Sequence, residues 1–490
     1  MNYKIMVRIQ AWILLIEAAF MLPALLIALS ESDGPAIRGF AAAIAAGLIA
    51  AGLMAFFTRH AQRRFYAREG LVCTGFAWIV LSLVGAIPFT VSGRMPNYID
   101  AFFEIVSGFT TTGASVLSDV EMLGHGLLYW RSFSHWVGGM GVLVFFLAVI
   151  PTSGKNDGYM LHILRAESPG PSVSKMVPKM RSTAIILYKM YCALTVLDIL
   201  LLIVIGRMPV FDAFCIAFGT AGTGGFAVLN SGCAAYTGAA QTITTIFMLL
   251  FGVNFSMYYY LLMKQLKNVF GDEELRLYLG IVLLAIVAIT VNVLGRTSDT
   301  ENLAGSIHHA AFQVASIVTT TGYSTVDFDL WPSLSKAILL CLMFVGASAG
   351  STGGGIKVSR VLLLFKSVQR NLHQTFHPNE VRIIRMSGSR VPEQTLANVN
   401  SYLAAYVLIV VVSFLLVSAD RANFSLTTNF SAIMATFNNI GPGFDAVGAT
   451  QNYGAYSNFS KIIMSVDMLA GRLEILPILA LFVPATYRRG

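Results

Sequence analysis

The chain runs to 490 residues, 56% of them hydrophobic and 12% charged, where an average soluble domain carries about 25% charged residues. With a mean hydropathy of +0.69 the composition excludes a soluble globular fold and defines an all-α polytopic membrane protein. The net charge of +8 does not point to nucleic acid, because the basic residues gather in loops that alternate along the chain, the positive-inside pattern.

Lys4 and Arg8 precede an apolar stretch at 11–29, long enough to stay as a span rather than be cleaved as a signal peptide. A second span follows at 40–57, and together they form an extra N-terminal helix pair, 1–68. Arg59, Arg63, Arg64 and Arg68 come next, which predicts a cytoplasmic N-terminus and places the acidic turn Glu31-Ser32-Asp33 outside.

The rest divides into four units, 69–180, 181–272, 273–392 and 393–490, each predicted as helix, re-entrant helix, extended polar loop, helix. In each unit a short apolar segment (99–106, 210–218, 305–317 or 426–436) leads into an uncharged polar run. The first run is Ser-Gly-Phe-Thr-Thr-Thr-Gly-Ala-Ser at 107–115. The others are Gly-Thr-Ala-Gly-Thr-Gly-Gly-Phe at 219–226, Val-Thr-Thr-Thr-Gly-Tyr-Ser-Thr at 318–325 and Phe-Asn-Asn-Ile-Gly-Pro-Gly-Phe at 437–444. They align on Gly113, Gly224, Gly322 and Gly441, about 100 to 120 residues apart, too far for a solenoid repeat. A bilayer crossing takes about 20 helical residues, so the short segments suit re-entrant helices.

Non-helical backbone at membrane depth is tolerated only where protein buries it or water reaches it. Four such loops meeting on one axis satisfy that condition and define one ion pathway. Threonine hydroxyls and carbonyls then offer oxygen ligands to a dehydrated cation, while glycine lets the backbone turn its carbonyls inward. The next basic loops carry Lys155, Arg165, Lys175, Lys179 and Arg181, then Lys264, Lys267 and Arg276. Every basic loop falls on one side and every polar run on the other.

Unit three is expected to depart from the others in its second span, where Gly346-Ala347-Ser348-Ala349-Gly350-Ser351-Thr352-Gly353-Gly354-Gly355 precedes Ile356-Lys357. So many small residues cannot hold a straight helix, and a mobile insert under a filter makes a gate. A phosphate-cradling loop is the alternative, but no strand precedes it. Segment 366–390 mixes Arg370, His373, His377, Arg382, Arg385 and Arg390 with Val381, Ile383 and Ile384. It reads either as a connector beside anionic lipid or as a docking surface for a soluble regulator.

His373 and His377 have metal-ligand spacing without further ligands nearby, and His308 and His309 read as capping or packing residues. In the last span Asp467, Arg472 and Glu474 face a watery interior or a partner, an ion pair being the plainer role for Arg472; Asp198 reads as a buried hydrogen-bond partner. Five cysteines, Cys73, Cys192, Cys215, Cys233 and Cys341, lack a C-x-x-C pair and support neither a zinc site nor a disulfide framework.

These residues resemble the Trk/Ktr/HKT superfamily of potassium transporters, and within it the bacterial Trk-type subunits. The resemblance rests on Thr-Thr-Thr-Gly at 110–113, Thr-Gly-Gly-Phe at 223–226, Thr-Thr-Thr-Gly-Tyr at 319–323 and Asn-Asn-Ile-Gly-Pro-Gly at 438–443. Gly-Ser-Thr-Gly-Gly-Gly-Ile-Lys at 350–357, Gly-Arg-Leu-Glu at 471–474 and the extra helix pair complete it. It implies K⁺ as the transported ion, no cofactor in this chain, a homodimer, a cytosolic nucleotide-binding (RCK-type) regulatory subunit, and the inner membrane of a bacterium. It also implies a K⁺ filter of Thr111, Thr112, Gly113, Thr223, Gly224, Thr320, Thr321, Gly322, Asn439, Ile440 and Gly441. The gate would comprise Gly346, Gly350, Gly353, Gly354, Gly355, Lys357 and Arg472.

Runs two and four depart from Thr-Thr-Thr-Gly, which keeps a Na⁺-permeable or ion-coupled symporter as the alternative. A secondary transporter with inverted halves does not match four parallel-looking copies. A membrane enzyme would need clustered catalytic groups, and here the acidic and histidine residues are dispersed.

Overall fold

The structure is a computed structural model; it describes residues 1–59, 67–141 and 180–484, with the backbone alone at 67–68 and 180–184. Arg63, Arg64, Lys155, Arg165, Lys175 and Lys179, and the chain after Gly141 in unit one, lie outside the described residues, as do the side chains of Arg68 and Arg181. The described elements are helical, apart from a two-residue antiparallel ladder pairing Arg385–Met386 with Ser389–Arg390.

Among the described residues, six helices are long and apolar enough to cross a membrane. Tyr3–Ser30 and Gly34–Phe57 are the extra pair; Glu69–Val91, Ile185–Val204, Glu273–Val293 and Glu393–Ser418 open the four units as their outer helices. They are apolar around most of their circumference, so leucines such as Leu283 and Leu284 stay exposed, as expected of surfaces that face lipid.

Each outer helix is followed by a short pore helix: Tyr98–Phe109, Val210–Gly222, Leu303–Val318 and Leu426–Phe437. Asn97, Asn302 and Ser425 cap three of these with side-chain oxygens that accept from Ile99, Gly305 and Thr428 N–H groups. The pore helices have 12 to 16 residues, which at about 1.5 Å per residue reaches only part way through a hydrocarbon core about 30 Å thick.

The inner helices, His125–Gly139, Gly238–Phe251, Ser333–Val345 and Asn458–Arg472, are also too short to cross. Unit two turns by 90° at Gly252-Val253-Asn254 into Phe255–Leu262. Unit four breaks at Glu474 (φ 58°) and Ile475 (φ 69°) before Leu476–Phe482. The broken inner helix expected of unit three alone is therefore shared with units two and four. What distinguishes unit three is the length of its break, from Gly346 to the helix Val358–Phe376.

Gly138 and Gly471 occupy matching positions, one residue before the end of their inner helices. A methyl group on either would lie 1.9 or 1.8 Å from the carbonyl oxygen of Phe109 or Phe437 at the foot of its own pore helix. Gly138→Ala and Gly471→Ala are expected to destabilise the protein by about 1–3 kcal/mol through overpacking. A thermal melt of the solubilised protein checks this, and an unchanged midpoint in both variants contradicts the packing account.

The two ends of the bundle are distinct. The turn at Glu31 to Asp33 lies at the end where the polar runs emerge, with Glu31 paired to His125 and Asp33 against Gly124. Asn2 lies at the opposite end, its N–H donating to Glu69 (3.3 Å).

Candidate functional site: a carbonyl ring and the loop beneath it

All four pore helices stop in the same way. The N–H groups of Thr112, Gly224, Thr321 and Ile440 donate at 2.8 Å to the carbonyls of Ser107, Gly219, Ser316 and Ala435. The N–H groups one residue earlier, on Thr111, Thr223, Thr320 and Asn439, donate to carbonyls three residues back. Such crossed bonds form a Schellman stop, which requires a left-handed residue. Here that residue is Thr111, Thr223, Thr320 or Asn439, at φ 55, 57, 59 and 55°. Glycine usually fills this position; a β-branched threonine is strained there, and asparagine tolerates it better. That is a physical reason for Asn439 in the fourth run.

Two residues further on stand Gly113, Gly225, Gly322 and Gly441, at φ 80, 78, 85 and 99°. A methyl group on Gly113 would lie 2.0 Å from Gly224 O, on Gly225 2.0 Å from Thr321 O, on Gly322 2.1 Å from Ile440 O, and on Gly441 2.7 Å from Thr112 O. Each unit's glycine thus abuts the next unit's carbonyl, and the fourth returns to the first. The result is a closed ring in which the carbonyls of Thr112, Gly224, Thr321 and Ile440 converge.

This corrects the register of the second run: the counterpart of Gly113, Gly322 and Gly441 is Gly225, and Gly224 matches Thr112, Thr321 and Ile440. Two adjacent glycines left the sequence alignment one residue adrift, and the left-handed backbone angle identifies the right one.

The hydroxyls brace the ring. Thr112 Oγ1 bonds with Thr110 Oγ1 (2.8 Å) and accepts from Asn439 Nδ2 (3.0 Å), which ties unit four to unit one. Thr321 Oγ1 bonds with Thr319 Oγ1 (2.8 Å), and Thr223 Oγ1 donates to Gly222 O (2.6 Å). Carbonyls therefore carry more of the inward-facing oxygen than the sequence suggested. All four pore helices point their C-terminal ends, the negative ends of their dipoles, at the ring.

Above the ring is a cavity of about 230 Å³ lined by Gly113, Gly225, Gly322, Gly441 and their neighbours. Arg131 reaches this wall, and its charge is offset by Glu104, whose carboxylate lies 2.6 Å from Nε. Glu104 also accepts from Ser115 Oγ and Val116 N–H, each at 2.9 Å. At the mouth, hydrogen bonds from Thr428 and Ser425 hold the Asp445 carboxyl below its usual range, and Asn230 does the same for Asp119. Ionised carboxylates there raise the local concentration of cations.

Beneath the ring lies the glycine-rich break of unit three. Its Gly354 N–H donates to Thr320 Oγ1 (2.6 Å). A methyl on Gly354 would meet Asn438 O at 2.4 Å, and one on Gly353 would meet Thr319 O at 2.8 Å. Gly346 and Gly355 are in mutual contact, and Gly350 O accepts from Phe255 N–H (3.0 Å) at the bend of unit two. Lys357, buried at φ 80°, donates to Gly353 O.

Arg472 spans the space between units. Its guanidinium donates to Thr352 O (2.6 Å) in the loop and to Gly138 O (2.5 Å) and Gly139 O (2.6 Å) at the end of inner helix one. Glu474, two residues further on, pairs with Arg360.

Other predicted residues lie elsewhere. Asp467 accepts from Ser413 Oγ (2.7 Å), and Asp198 is buried in outer helix two. His308 bonds to Gln241 (2.7 Å) and His309 to Thr325 (3.0 Å), as packing groups do. His373 and His377 stack at 4.7 Å, and no metal-holding group of three ligands exists among the described residues.

Sequence reading missed Glu104, Arg131, His135 and Glu274. Glu274 Oε1 accepts from Ala349 N–H (2.6 Å) and Ser359 N–H (3.2 Å), pinning both ends of the glycine-rich loop to outer helix three. Its neighbours Glu273 and Asp272 bind Lys366 and Ser387. The run Asp272-Glu273-Glu274 is the signal that would have pointed to it.

Four pore helices around a carbonyl ring, inside a shell of apolar helices, define a multi-pass membrane protein. Residues 37–487 match the TrkH family model, described as cation transport protein. The chain is 36% identical over 494 residues, covering all of both chains, to the Trk system potassium uptake proteins TrkH of Salmonella typhimurium and Escherichia coli. It superposes over its full length on the crystal structure of the potassium transporter TrkH from Vibrio parahaemolyticus, with a TM-score of 0.88 and 32% identity. The chain belongs to the TrkH family of cation transport proteins.

Proposed function

We propose that the protein takes up K⁺ across the inner membrane of a bacterium through the carbonyl ring, with the glycine-rich loop and Arg472 as its gate. The observation that carries this reading is the head-to-tail closure of the carbonyls of Thr112, Gly224, Thr321 and Ile440. Converging carbonyls replace the hydration shell of a monovalent cation. Thr111, Thr223, Thr320 and Asn439 supply the turn, and the four left-handed glycines supply the close approach. The polar runs face outward and both termini face the cytoplasm. The names of the full-length relatives support potassium as the ion; a Na⁺-permeable or ion-coupled symporter uses the same ring and is the second reading.

Uptake by potassium-depleted cells, comparing K⁺, Rb⁺ and Na⁺ at equal membrane-inserted protein, tests the proposal. Preferential K⁺ and Rb⁺ uptake is expected; equal Na⁺ uptake moves the assignment to the second reading.

The gate follows from the position of the loop, pressed against Thr319, Thr320 and Asn438. Glu274→Ala leaves two buried N–H groups without their acceptor and loosens the loop, at a cost of about 1 kcal/mol or more. Rb⁺ uptake should rise about fivefold, and unchanged uptake and regulation in a well-expressed variant count against a gate. Shortening the segment from Gly346 to Gly355 should act in the same direction.

The reading includes a homodimer and a cytosolic nucleotide-binding regulatory subunit. Helix Val358–Phe376 runs from the loop and leaves Phe365, Leu372 and Phe376 exposed, a face that suits protein contact.

A further inference from the structure

We infer that His135 is a positioning residue for selectivity, holding the Gly224 carbonyl on the axis; the inference rests on the filter reading above. His135 lies on inner helix one and is fully buried. Its Nδ1 is 2.8 Å from Gly108 O, which can only accept, so Nδ1 carries the proton. Nε2 is then left to accept from Phe226 N–H at 3.2 Å. One imidazole therefore ties the end of pore helix one to the strand of chain that leaves the second filter run.

The ring also explains a glycine that the backbone does not. Gly224 is outside the left-handed region, unlike Gly113, Gly225, Gly322 and Gly441. A methyl group on Gly224 would instead lie 2.2 Å from Cγ and Nδ1 of His135. At the matching ring positions Thr112, Thr321 and Ile440 carry side chains of their own that pack against the wall. Unit two has none, and the imidazole from unit one fills the place. His135 thereby fixes how far the Gly224 carbonyl stands from the axis, and with it the fit to an ion of one size.

The test is a double-mutant cycle read as the K⁺ to Na⁺ uptake ratio at equal membrane-inserted protein. Gly224→Ala and His135→Ala should each lower the ratio about tenfold, the first by collision and the second by lost support. In the double variant the new methyl occupies the space of the deleted ring, and the ratio should recover about threefold or more above that of Gly224→Ala. His135→Gln, whose amide oxygen reaches toward the Phe226 N–H, should keep more of the ratio than His135→Ala.

A double variant no better than Gly224→Ala, or a wild-type ratio in His135→Ala, overturns the inference. Should His135→Ala not reach the membrane, His135→Ser, which likewise vacates the space of the ring, takes its place in the cycle and is read the same way. Gly322→Ala, whose methyl would meet Ile440 O and Pro442 rather than the imidazole, separates the two readings. If it leaves the ratio unchanged the filter assignment itself fails, and if it lowers the ratio while the His135 variants do not, only the role of His135 is lost.

Discussion

Replacing Arg472 with glutamine is expected to raise Rb⁺ uptake per inserted molecule by up to about a hundredfold. A unit charge about 6 Å from a passing cation costs about 3 kcal/mol at an effective dielectric near 20, and 3 kcal/mol is roughly a hundredfold in occupancy. The guanidinium stays ionised at any accessible pH, and its three carbonyl contacts hold it between the loop and inner helix one. Glutamine removes the charge and keeps some hydrogen-bonding capacity. Lysine keeps the charge and loses the fork that reaches Thr352, Gly138 and Gly139 together, so Arg472→Lys should stay near the wild-type level. Equal increases in both variants would assign the effect to the latch rather than the charge. A fall in normalised uptake for both Arg472→Gln and Arg472→Ala would remove the barrier role.

The second large effect is expected at the left-handed glycines. Gly225→Ala places a methyl 2.0 Å from Thr321 O at φ 78°, and neither the backbone carbonyl nor the dihedral can yield without moving the ring. Strain of about 1–3 kcal/mol adds to the displaced carbonyl, so K⁺ uptake should fall by about a hundredfold, or lose its preference over Na⁺, with protein still in the membrane. Gly113→Ser should behave alike, since its methylene meets Gly224 O at 2.0 Å. Unchanged relative permeability in both variants, measured with K⁺, Rb⁺ and Na⁺, would rule out these glycines as ring-forming residues.

Much of this architecture was legible because composition and length act together. An uncharged Thr/Gly run after about ten apolar residues has few places to go in a bilayer, and four copies fixed the pore helices closely: 210–218 and 426–436 fall inside Val210–Gly222 and Leu426–Phe437. The register of the second run was not legible, because Gly224 and Gly225 are chemically the same and only the backbone angle tells them apart. The break in unit four was hidden for the opposite reason. Glu474 and Ile475 adopt positive φ against their own preference, which no propensity argument foresees. His135 escaped notice because both its partners, the Gly108 carbonyl and the Phe226 N–H, are backbone groups, and the carbonyl partners of Arg472 are backbone atoms too, which carry no sequence signature.

Gly138-Gly139 in unit one stands where Gly471-Arg472 stands in unit four, so one position of the repeat holds a cation in a single copy. A pore assembled from four identical chains has no such freedom: any residue placed beside the axis appears there four times. Four guanidiniums at the spacing used above would raise the barrier to about 12 kcal/mol and close the path for good. On the proposed reading, joining the units in one polypeptide lets the carbonyl ring keep its near-fourfold form while the charge of Arg472 stands beneath it only once, the arithmetic that leaves a barrier an ion can still cross.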